Sequence, residues 1–126
     1  MQQILKDSAL DEALLTQGFV VVPFLDSRQV QELLHFFEDN HQSAIPGFYA
    51  TAHCTDIAFR KKMNDQIQTV FAPSIENYFQ QCRPLGGSYV VKSNTQEERL
   101  HPHQDWSIVD ETQHRSFNIW VPLVVS

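Results

Sequence analysis

The sequence predicts an α+β fold in which helices come first and strands follow. Apolar residues recur with helical spacing up to about residue 79, and after Gly86 and Gly87 they alternate with a period of two. Runs typical of strands then cover 88–93 and 116–125. Helices followed by strands are typical of folds in which helices support a β-sandwich or barrel.

Length and composition indicate a globular domain spanning residues 1–126. The chain has 42% hydrophobic and 19% charged residues, and its formal net charge of −6 argues against a nucleic-acid partner. We find neither a signal peptide nor a run approaching the roughly 18 apolar residues of a membrane span. We therefore expect a cytoplasmic protein without a membrane partner, in which Cys54 and Cys82 are buried, reduced thiols.

The first 25 residues predict a short helix and then a strand. Ser8 is a suitable cap for the helix, and Gly18 suits the position just after its end. The β-branched run at 19–24 predicts a strand that closes near Pro23. The apolar residues of the helix are Leu10, Ala13 and Leu14.

Two longer helices are predicted next. Asp26 or Ser27 caps the first of them, and the second begins at about Asp56 and should kink or restart at Pro73. Arg60–Lys62 reads as a solvated helix face. The buried stripes are Val30, Leu33, Leu34 and Phe37 on the earlier helix, and Phe59, Met63, Ile67, Val70 and Phe71, continued by Ile75, Tyr78 and Phe79, on the later one.

The last strand has two distinct faces, with Asn118 and Trp120 on the face opposite an apolar one. The chain stops inside this apolar run, so we expect a truncated domain, or missing strands supplied by another chain. We accordingly predict that the chain self-associates through this C-terminal strand. The apolar face consists of Phe117, Ile119, Val121 and Leu123.

His103 and Asp105 form the candidate metal site. In an extended segment, residues i and i+2 point to the same face and lie about 6.5–7 Å apart, so both can reach one cation. An imidazole and a carboxylate are two of the three ligands in the facial triad of non-haem Fe(II) oxygenases. His101 has the same parity, but Pro102 restricts its backbone, and we do not assign it. The alternative is a structural pair in which Asp105 orients His103.

The surrounding sequence resembles the phytanoyl-CoA dioxygenase-like family of Fe(II)/2-oxoglutarate-dependent oxygenases. The strings are "HPHQDWSIVDE" and "SFNIWVPL", preceded by "GFVVVPFLD" and "GSYVVKSN". This resemblance implies a double-stranded β-helix, or jelly roll, with helices packed on one side. It also implies hydroxylation of an unactivated carbon of a small-molecule substrate, with Fe(II) and 2-oxoglutarate. By position, His103 and Asp105 match the first two iron ligands, and Lys92 and Trp120 match residues that line the 2-oxoglutarate pocket.

The chain also departs from the family pattern. The second histidine ligand and the arginine after it have no counterpart, because His114 and Arg115 follow Asp105 too closely. We therefore expect this chain to be incomplete and inactive, and we assign no catalytic residue. On the alternative readings, Lys92 is an exposed strand cation and Trp120 is a core aromatic.

Two other functions remain open. One is a non-catalytic remnant that binds or assembles through an unpaired strand edge. The other is a cupin-type metal protein that does not use 2-oxoglutarate. In the loop at 45–56, which we expect near a substrate mouth, His53 and Cys54 read as polar loop residues rather than a nucleophile pair.

Overall fold

A computed structural model describes residues 3–40, 49–91 and 115–124 of the chain. The elements in chain order are α1 (Ser8–Gln17), α2 (Ser27–Asn40), β1 (Tyr49–Ala50), a 3-10 helix (Thr51–His53), α3 (Ile57–Tyr78) and β2 (Val90–Val91). β1 and β2 pair antiparallel. The described part is therefore mainly helical, with one short two-stranded sheet. Within these ranges, no helix has both the length and the apolar character required to cross a bilayer.

Helix α1 forms where it was predicted but is capped by a different residue. Asp7 is the N-cap, and its carboxylate accepts hydrogen bonds from the backbone of Ala9 at 2.9 Å and Leu10 at 3.2 Å. Ser8 was the wrong choice because it already lies in the first turn. Gly18 ends the helix as predicted, in the left-handed conformation with φ 84°.

Helix α2 confirms both the predicted cap and the predicted stripe. Asp26 accepts a hydrogen bond from the Gln29 amide at 2.8 Å, and the Gln29 side chain accepts one from the Asp26 amide at 2.9 Å. This reciprocal capping box assigns the cap to Asp26 rather than Ser27. Leu33 and Phe37 are buried.

Helix α3 is continuous across its proline. The helix begins next to Asp56, as predicted; Asp56 is its N-cap and accepts a hydrogen bond from the Phe59 amide at 3.1 Å. The helix then runs for 22 residues through Pro73. Of the two predicted alternatives at Pro73, a kink or a restart, the restart is therefore wrong. Val70, about one turn before the proline, and Ser74, directly after it, are both buried. We attribute the continuity of the helix to this packing, which offsets a proline cost of about 3 kcal/mol.

Residues 19–24 do not form the predicted strand. They pair with no strand in the described ranges and lie against α3 instead. The Phe24 ring meets the Phe71 ring edge-to-face at 5.3 Å, and the Pro23 carbonyl accepts a hydrogen bond from the Tyr78 hydroxyl at 3.1 Å. Side-chain contacts with a helix therefore hold this segment where a strand ladder was expected.

The core lies between α2 and α3 and includes Tyr89, the residue just before β2. Met63 and Leu33 are its least exposed side chains, at 0% and 2%. The Tyr89 ring stacks on Phe37 with centroids 5.1 Å apart, which joins the β2 segment to α2. The cluster consists of Leu33, Phe37, Met63, Ile67, Val70 and Tyr89.

The N-terminal segment bonds to the end of α3 and to a buried carboxylate on α1. Leu5 and Phe79 form an antiparallel bridge. Asp11 in α1 is only 5% exposed, and one of its oxygens accepts hydrogen bonds from the amides of Ile4 and Leu5, both at 2.9 Å. These bonds, the one from Leu5 foremost, together with the charge of Arg115, hold the pKa of Asp11 below its ordinary value.

Residues 115–124 show the predicted alternation of faces without an assigned strand. Phe117, Ile119, Val121 and Leu123 are half-buried, whereas the residues between them are exposed. Phe117 stacks on Phe79 at 4.9 Å, and Leu123 packs against the core. The two-face prediction is confirmed for the described part of this segment, whereas strand pairing is not seen there.

Candidate metal centre

Trp120 is the one predicted site residue that lies within the described ranges. Its side chain is 71% exposed, on the side opposite the half-buried Phe117 and Ile119. The alternative that Trp120 is a core aromatic is therefore wrong. An exposed indole offers a large apolar face to a ligand or a partner.

The other three predicted site residues, Lys92, His103 and Asp105, lie outside the described residues. The described chain reaches Val91, the last residue of β2, and Lys92 is its neighbour in sequence. Burial alternates along this strand as the sequence predicts, since Tyr89 is buried, Val90 is exposed and Val91 is half-buried. The roles of the three site residues stay predictions.

A hydrogen-bonded clamp joins the 3-10 helix to the start of β2. The amide of Thr51 donates to the Tyr89 carbonyl, and the amide of Tyr89 donates to the Thr51 hydroxyl oxygen, both at 2.9 Å. The Ser88 hydroxyl oxygen lies 3.3 Å from that of Thr51 and accepts a bond from the Ala52 amide at 3.1 Å. Sequence reasoning missed this clamp, because a threonine gives no local sign of a partner 38 residues away.

Tyr89 acts as a buried donor. Its hydroxyl donates to the Leu33 carbonyl at 2.9 Å. Burial, assisted by the negative charge of Glu32, raises the pKa of Tyr89 to about 12. The phenol is therefore neutral at physiological pH and holds the strand segment to α2.

The described residues supply no second candidate for a metal site. Among them, no three His, Cys, Asp or Glu side chains lie close enough together to hold an ion. Cys54 and Cys82 form no disulfide, as predicted, but both are half-buried rather than buried. Desolvation raises the pKa of the Cys82 thiol, which disfavours the thiolate that binds metals.

The basic cluster on α3 is a solvated face, as predicted. Arg60, Lys61 and Lys62 are exposed. Lys61 forms an ion pair with Asp65 at 2.7 Å, one helical turn away, and Lys62 donates to the Asn40 side chain at 2.6 Å. Lys61 and Lys62 are therefore engaged within the helical layer, and solvent screens exposed pairs of this kind, so that they add little to stability.

The residue types of the predicted centre fit iron. A neutral imidazole and a carboxylate, from His103 and Asp105, suit Fe(II), and an ammonium group such as that of Lys92 suits a dicarboxylate. No family model, curated protein or solved structure matches the chain. The assignment therefore rests on the sequence pattern.

Proposed function

We propose that this chain contributes iron ligands His103 and Asp105 to an Fe(II)/2-oxoglutarate-dependent dioxygenase with a jelly-roll fold. The proposed reaction hydroxylates an unactivated carbon of a small molecule. The observation that carries the proposal is the His-x-Asp pair within the string "HPHQDW". When bound, iron and 2-oxoglutarate supply oxygen activation, and the residues of the chain hold the metal and orient the acid.

Two described features support this proposal. Burial alternates at 115–124, as it does along a strand of a jelly roll, and leaves Trp120 exposed. The β2 strand runs up to the residue before Lys92, so an extended backbone leads into the proposed co-substrate lysine. Both features agree with strands that carry pocket residues on one face.

The proposed metal centre has two assigned protein ligands, and this number determines the affinity for iron that we expect. Each ligand of a metal fixes both geometry and charge, so iron affinity should be low with two. We therefore expect weak metal binding, and no turnover, by this chain.

Calorimetric titration of Mn(II), a redox-stable substitute for Fe(II), tests the proposal. His103→Ala should lower Mn(II) affinity by about tenfold or more, because loss even of an outer-shell partner costs 10–100-fold at metal sites. His35→Ala is the matched control, since His35 is an exposed histidine on α2. No binding by the wild-type chain, or equal affinity in the two variants, refutes the proposal.

Self-association through residues 115–124 is our second proposal, from a different functional class. It is motivated by two large apolar side chains at this end, Trp120 at 71% and Val124 at 65% exposure. Light scattering should show a dimer or larger species that Trp120→Lys dissociates. The control is Phe19→Lys, which changes a side chain of similar exposure, 63%, elsewhere in the sequence. A monomeric wild-type chain rules this proposal out.

A further inference from the structure

We draw no further inference here: the strongest candidate, the open surface cleft of about 490 Å³ between Lys6 and the last turns of α3, carries none, because the Lys6 ammonium is already bonded to the Glu76 carbonyl at 2.7 Å and no contact among the described residues shows what would occupy the cleft.

Discussion

Gly87 lies where the backbone before β2 closely approaches α3. A Cβ at this position would lie 2.8 Å from Ile67 Cγ2 and 3.1 Å from Ile67 Cβ. Ile67 is buried and β-branched, so its side chain has little freedom to move away. The Gly87 amide also donates to the Asn64 side chain at 2.6 Å, which holds the backbone close to the helix.

Gly87→Ala should lower the free energy of unfolding by about 1–3 kcal/mol, the usual cost of overpacking. Urea denaturation measures this change. Gly86→Ala is the matched control, because its Cβ would meet the Asn64 side-chain oxygen at 3.6 Å, an ordinary contact. Equal losses in the two variants would contradict the close approach at Gly87.

Sequence patterns predicted the apolar residues of the core but not its polar members. Leu33, Phe37 and Met63 follow from helical periodicity, because the spacing of a stripe is a local property. Thr51 and Ser74 are buried, and the hydroxyl of each bonds to a backbone group far along the chain. No local pattern marks such partners, so these residues could be found only from the structure.

At the scale of single elements, helices were predicted better than strands. A helix forms its backbone hydrogen bonds within its own segment, so its caps and its apolar stripe can be recognised in the local sequence. A strand requires a partner, and the β-branched run at 19–24 bonds to α3 through Pro23 and Phe24 instead. The error at α1 was one of cap identity, since Asp7 and Ser8 are both good N-cap types.

Asp7→Ala should lower the stability of the chain by about 1 kcal/mol, because the carboxylate caps two amides of α1. Ser8→Ala should change stability by less than about 0.5 kcal/mol, as surface substitutions usually do. Thermal unfolding followed by circular dichroism compares the two variants. A larger loss of stability in Ser8→Ala than in Asp7→Ala would show that Ser8 is the N-cap, as the sequence alone suggested.

At the scale of the whole molecule, Asp11 connects the N-terminal segment to α1 and to the charge of Arg115. The pKa of Asp11 is lowered from 3.8 in the folded chain, so the ionised form is favoured by folding. The stability that it contributes is present above about pH 3.8 and is lost as the pH falls through the lower folded value.

Asp11→Asn should therefore reduce stability at neutral pH and flatten its decline below pH 4. Urea midpoints measured from pH 7 to pH 2 test this expectation. Glu12→Gln removes the same charge from the neighbouring, exposed residue and is the control. If the urea midpoints of wild type and Asp11→Asn fall in parallel with pH, the Asp11 carboxylate does not stabilise the N-terminal segment.

The central claim, also at this scale, is that His103 and Asp105 bind one metal ion together. A double-mutant cycle of His103→Ala and Asp105→Ala, read by calorimetric Mn(II) titration, tests it most directly. If the two residues share an ion, each single variant should lose most of the affinity and the double variant should lose little more. Wild-type affinity in either single variant, or losses that simply add, would contradict a shared metal site.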